Sequence, residues 1–240
     1  MQFEPKFDII DLPSEGIFYA NGCNKVKVYH LTLADEEIMT APNLLQSGEM
    51  LDRLLERKVV RVNDDTPFIH PSKMLIGDRL AILVFLRVTM DNIYKIVVDG
   101  ALYDFDLTTL KVKEMTAKPN QKLEFDFKLP KSGDMVTFRL MTGEDEKEIR
   151  LYQMKTNQTL PFNKVIRLEK LITSVNGETD KMLISAFVKQ MNITDANKLL
   201  RYMNDVTPSI DLEVEVISPV TNKAKTQFLE LTGEFFFPNT

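Results

Sequence analysis

Two histidines, one cysteine and a few runs of adjacent acids are the side chains in this sequence whose types could do chemistry. A histidine acts as a general base only with an acid or nucleophile placed to share its proton. His30 stands in the alternating run KVKVYHL and His70 in PFIHPS, and neither has such a neighbour along the chain. Asp64-Asp65 and the acids of GEDEKE, residues 143–148, carry oxygens that suit a divalent cation. A solvated turn and the acidic start of a helix account for both runs. Cys23, the single cysteine, excludes an internal disulfide and with two histidines leaves a Cys/His zinc set short of ligands. The glycines never fall in the spaced sets that cradle a phosphate. The sequence therefore predicts no catalytic, cofactor-binding or metal-binding residues, no cofactor, and no enzyme. A hydrolase that cleaves peptidoglycan is the alternative from another class. It would need a carboxylic acid of raised pKa and a second carboxylate across a cleft, and no acid here stands in a context that singles it out.

Composition narrows the partners. A net charge of −5, from 30 basic and 35 acidic residues spread along the chain, gives no footprint for nucleic acid. The run LAILVFL, residues 80–86, is far shorter than the roughly 18 apolar residues of a membrane span, which predicts no membrane insertion. MQFEPKFDII lacks a basic region followed by an apolar one, so folding in a cytosol is expected.

The elements that would position these residues read as one arrangement used twice. LPSEG followed by VKVYHLTLADEEI returns as LPKSGDMVTFRLMTGEDEKEI, and Leu12 and Leu129 are 117 residues apart, as are Asp78 and Asp195. We expect an α+β fold of two related halves from internal duplication, each a small mixed sheet with helices against it, spanning 1–118 and 119–240 with a junction at AKPNQ. Lys25–Leu31 and Met135–Leu140 alternate as half-buried strands. Thr32 with Asp35, and Thr142 with Asp145, fit capped helix starts. One helix must end near Pro42 and is followed by an amphipathic one carrying Leu44, Met50, Leu51, Leu54 and Leu55. Leu80–Leu86, apolar all round, predicts an enclosed helix. In the second half one helical face is predicted from Met182, Leu183, Ala186, Phe187 and Met191, and another from Leu199, Leu200 and Met203 behind a Thr194 cap. Closing strands are expected over Tyr94–Val98, Tyr103–Leu107, Ile210–Ile217 and Lys225–Phe237.

The turn LPSEGIFYANG, residues 12–22, combines a fixed proline, two glycines free to take positive φ, and two aromatics. It predicts an anchor for the strand after it, with Phe18 and Tyr19 as candidate interface residues. Phe235, Phe236 and Phe237 are the other candidates: three aromatics in succession on a strand would face both sides, one toward the core and the other covered either by a helix of the same chain or by a partner docking by strand addition.

LPSEGIFY, VKVYHLTLADEEIM, LDRLLERKVV and MLIGDRLAILVFLRV together resemble the baseplate hub and hub-assembly proteins of T4-like contractile-tailed bacteriophages. The matching positions are Leu12, Pro13, Ser14, Gly16, Tyr19, Glu36, Asp78, Leu86 and Arg87, and the likeness is good over about the first 110 residues and loose beyond. Where some members carry a Cys-x-x-Cys pair this chain reads VVDGALYDFDL, which removes the ligands a zinc role would use. The resemblance implies a structural or assembly protein working by protein contacts, with other baseplate hub proteins and the tape-measure protein as partners. It places the protein in the virion tail baseplate, after assembly in the host bacterial cytoplasm. A transient tail-assembly chaperone absent from the virion would share these features.

Overall fold

The computed structural model describes residues 5–113, 115–155, 164–229 and 233–236. In chain order these form β1 (Phe7–Asp11), β2 (Lys25–Tyr29), α1 (Leu33–Thr40), α2 (Pro42–Ser47), α3 (Met50–Lys58) and β3 (Val59–Val60). A 3-10 turn at Pro71–Lys73 leads to α4 (Ile76–Met90), then β4 (Ile93–Val98), β5 (Ala101–Asp106) and β6 (Val112–Lys113). Next come β7 (Phe125–Lys128), β8 (Met135–Phe138), α5 (Gly143–Lys155), α6 (Lys164–Leu171), β9 (Ile172–Val175), α7 (Lys181–Gln190) and α8 (Ile193–Val206). The described chain closes with β10 (Ser209–Ile210), β11 (Glu213–Ile217), β12 (Ala224–Phe228) and a 3-10 turn at Gly233–Phe236. The fold is α+β, built on small antiparallel sheets.

The chain divides into two compact units that share it unevenly: residues 1–71, 77–113 and 209–240 form one, and residues 72–76 with 114–208 the other. In the first unit β2 lies between β1 and β3, all antiparallel. Its alternation works as expected: Val26 and Val28 are fully buried while Lys27 and Tyr29 are half-buried. The hairpins β4–β5 and β11–β12 and the short β10–β6 pair belong to the same unit. Enclosure of α4 accounts for its all-round apolarity, since Ala81, Ile82, Leu83, Val84 and Leu86 are buried. The expected amphipathic helix divides in two because Gly48, at φ 67°, takes the left-handed conformation that stops α2 before α3 begins.

The second unit carries the antiparallel sheet β7–β8–β9. Phe125 stacks on Phe138 with ring centroids 5.7 Å apart, Phe127 on Tyr202 at 4.8 Å, and Tyr202 meets Phe138 edge-on at 6.0 Å. Leu168, Leu171, Ile184, Val188, Leu199, Met203 and Val206 bring all of α6, α7 and α8 into this core. Residues 72–76 join it by main-chain bonds, with Gly143 N donating to Met74 O at 3.0 Å and Ile76 N to Met141 O at 3.0 Å.

Three expectations need correction. The buried stripe of α7 is Ile184 and Val188, so Met182 and Leu183 are 82% and 56% exposed. The cap of α8 is Asn192, whose side chain accepts from Thr194 N at 2.8 Å. The strand expected to reach Phe237 ends at Phe228.

Candidate functional site

The Leu-Pro turn is a closed polar knot within the first unit. Short backbone bonds fold it: Glu15 N donates to Leu12 O and Gly22 N to Tyr19 O, each at 2.8 Å. Gly16, at φ 76°, comes so close to Gly22 that no side chain fits between them. The turn's donors converge on Asp78 in the first turn of α4. Ser14 N donates at 2.9 Å, Ser14 Oγ at 2.6 Å, and the Tyr19 hydroxyl makes a third bond. Among the described residues no cation pairs with Asp78, and burial raises its carboxyl above the ordinary value although all three donors pull it down. In the second unit Asp195 takes the same role for LPKSG, accepting from Lys131 N at 2.8 Å and Ser132 N at 3.0 Å. Gly133 there has φ 80°.

The Thr-capped helices form a second kind of polar centre. Asp35 accepts from Thr32 N at 2.7 Å and Thr32 Oγ1 at 2.8 Å, and pairs with Lys58 and with Arg57 Nε at 2.9 Å. It thereby ties the first turn of α1 to the last turn of α3. Asp145 accepts from Thr142 N and Oγ1 at 3.0 and 2.9 Å and grips the Arg139 guanidinium through both oxygens at 2.6 and 2.8 Å. Burial alone would raise each carboxyl, but Lys58 and Thr32, or Arg139 and Thr142, more than offset it and hold both below the ordinary value.

These shifts have opposite consequences with pH. A lowered folded pKa gives stability that is present above the unfolded value of 3.8 and lost as pH falls through the folded pKa. Asp78, raised, gives stability that is present below 3.8 and lost as pH rises through its folded pKa. Asp145→Asn is expected to unfold in less urea than wild type at pH 7, and the difference should shrink steadily below pH 3.8. Urea midpoints at several pH values check this; a gap of constant size would show that the Asp145 charge is not what stabilises the helix start.

His30 gains in space the acid it lacked in sequence, with Nε2 2.6 Å from Asp8 Oδ2 on β1. Its carbonyl accepts from Lys58 Nζ at 2.9 Å, and its ring meets Phe85 edge-on. Among the described residues no hydroxyl or thiol is bonded to the pair, which joins the end of β2 to β1 across the edge of the sheet. Cys23 is buried and its thiol is pushed up, first by desolvation. Among the described residues no cluster of three or more His, Cys, Asp or Glu could hold a metal ion, and no helix is long and apolar enough to cross a membrane. A depression of about 540 Å³ in the second unit is lined by the charged Lys122 and Glu124 together with amides and hydroxyls, among them Asn120, Thr137, Thr173 and Thr179.

Of the candidate interface residues, Phe18 is half-buried and Tyr19 is buried with its hydroxyl on Asp78. Phe235 and Phe236 are only 1% and 3% exposed, and their rings meet edge-on at 5.2 Å in a helical turn, which removes the argument from strand alternation. Phe237 lies outside the described residues. The apolar side chains that do face outward include Met182 and Leu183 on α7, Ile193 at the start of α8, and Phe7 and Ile9 on β1. Sequence reasoning missed the α7 pair because it grouped Met182 and Leu183 with Ala186, Phe187 and Met191 as one apolar helical face, whereas the buried stripe is Ile184 and Val188. No protein-family model, curated protein or solved structure matches the chain.

Proposed function

We propose that this chain is a structural or assembly protein of a bacteriophage tail baseplate hub, acting through protein contacts and without catalysis. The observation that carries this reading is the exposed apolar start of α7, where Met182 and Leu183 present large side chains to solvent although a core lies on the other side of the same helix. Single exposed apolar residues are ordinary, whereas adjacent large ones in one turn suit an interface. The motif residues behind the phage resemblance support the same reading: Ser14, Tyr19, Asp78 and Arg87 are spent on holding the first unit together. The twofold use of a Leu-Pro turn bound to a helix-opening aspartate 64 residues later, at Ser14–Asp78 and Lys131–Asp195, supports duplication as the origin of the chain. Other hub proteins and the tape-measure protein are the proposed partners, and the tail baseplate the proposed site of action.

Met182→Glu/Leu183→Glu should leave the circular dichroism and urea midpoint of the protein unchanged. Co-purification with tail components from infected cells should fall at least about tenfold, the loss of one or two interface anchors. A folded variant that still joins the tail at wild-type yield would overturn the assignment of this surface. Presence of the chain in purified virions, against presence only in lysate, separates a hub component from an assembly chaperone.

A further inference from the structure

Among the described residues, two opposite charges, Lys122 and Glu124, line the depression of the second unit without pairing with each other. One wall of the depression is the face of β8 and β9 opposite buried Val136 and Phe138, where Thr137 and Ser174 are register partners. Its rim is the turn before β7, and that turn is locked. Asn120 Oδ1 accepts from Lys122 N at 2.8 Å and Glu124 N at 3.1 Å, and Asn120 N donates to Glu124 O at 2.8 Å. Leu123 is thereby held at φ 62°, a left-handed conformation that leucine rarely takes and that concentrates at binding sites. Thr137 and Thr173 spend their hydroxyl protons within the sheet, on Asp126 Oδ1 at 2.7 Å and Thr137 O at 3.2 Å. Among the described residues the side chains of Gln121, Lys122, Glu124, Ser174 and Thr179 make no hydrogen bond or ion pair. Arg139 feels the charge of Glu124, but its guanidinium is gripped by Asp145.

We propose that this depression binds a small zwitterion of the amino-acid or dipeptide class, with its ammonium on Glu124, its carboxylate on Lys122 and its amide against the hydroxyls of Ser174 and Thr179. A volume of about 540 Å³ falls in the range of small-molecule sites and accommodates a dipeptide. The charges select the class. A ligand of one sign would be drawn to one side chain and repelled by the other, and a neutral polyol would leave both charges to water. A zwitterion matches both at once. Because Asn120 fixes the turn and the ladder fixes Ser174, little ordering remains to be done on binding. Lys122 is exposed and Glu124 half-buried, so each ion pair is worth no more than about fivefold in affinity. The site stands independently of a role in phage tails.

Glycylglycine titrated into the isotope-labelled full chain should give saturable amide shifts in NMR spectra at residues 120–124, 174 and 179, with a dissociation constant on the order of millimolar. N-acetylglycylglycine lacks the ammonium and glycylglycinamide lacks the carboxylate, so each should bind about fivefold more weakly. In Glu124→Gln the acetylated peptide should bind as well as glycylglycine, and in Lys122→Met the amide should do so, a pairing of variant with analogue that a merely structural role would not produce. No saturable shift with glycylglycine, shifts confined to other residues, or equal binding of charged and blocked peptides to wild type overturns the proposal. Maltotriose binding more tightly than glycylglycine overturns it as well, because the depression would then be a saccharide site. If either variant fails to fold, the three peptides compared on wild type decide.

Discussion

Asp78→Ala is expected to cost about 3–4 kcal/mol of unfolding free energy, because it orphans the buried donors Ser14 N, Ser14 Oγ and the Tyr19 hydroxyl at about 1–3 kcal/mol each. Simple addition would overshoot, since removing a buried carboxylate also removes its own desolvation cost. Asp195→Ala should cost less, about 2 kcal/mol, because only the two amides of Lys131 and Ser132 lose their acceptor and both are partly accessible to water. Ser14→Ala takes one donor away together with its need and should cost about 1 kcal/mol. Urea unfolding followed by circular dichroism gives all three values. The ordering Asp78 above Asp195 above Ser14 is the result at stake. An Asp78→Ala chain within about 1 kcal/mol of wild type would mean that the loop is held by its glycines and backbone bonds alone.

This knot marks the border of what the sequence makes legible. Local regularities are readable: the Val26/Val28 alternation, the Thr32–Asp35 and Thr142–Asp145 boxes and the all-round apolarity of α4 each depend on neighbours within a turn or two. The Asp78 bonds join residues 59 and 64 positions apart, and no local pattern encodes them. Only the equal spacing of the two Leu-Pro turns from Asp78 and Asp195 hinted at the link. On α7 the residues 182, 183 and 186 share one stripe and 184 and 188 another, so helical period alone cannot say which meets the core. The Phe235–Phe236 turn shows the third limit. A short apolar run suits strand and helix equally, and the deciding group is Arg87, a charged side chain satisfied by backbone carbonyls, which carry no signature in the sequence.

Gly16→Ala should cost about 3–4 kcal/mol and separates two reasons a glycine can be required. At φ 76° an alanine pays the left-handed penalty of about 1–2 kcal/mol. Its Cβ would also stand 2.6 Å from Gly22 O and 2.9 Å from Gly22 C, backbone atoms that cannot swing aside, adding the 1–3 kcal/mol of an overpacked site. Gly22→Ala meets the first cost alone, because φ is 67° and nothing lies within 4 Å of its Cβ, so about 1 kcal/mol is expected. The clash at Gly16 must push the Gly22 strand of the turn outward, and that movement draws on the Gly22 N to Tyr19 O bond of 2.8 Å. Tyr19 then leaves Asp78, so Gly16→Ala and Asp78→Ala should be strongly non-additive, the double variant costing little more than the worse single one. Urea unfolding of the four chains measures both quantities. Equal costs for Gly16→Ala and Gly22→Ala, or full additivity with Asp78→Ala, would show that the turn yields locally and does not transmit the strain to the helix.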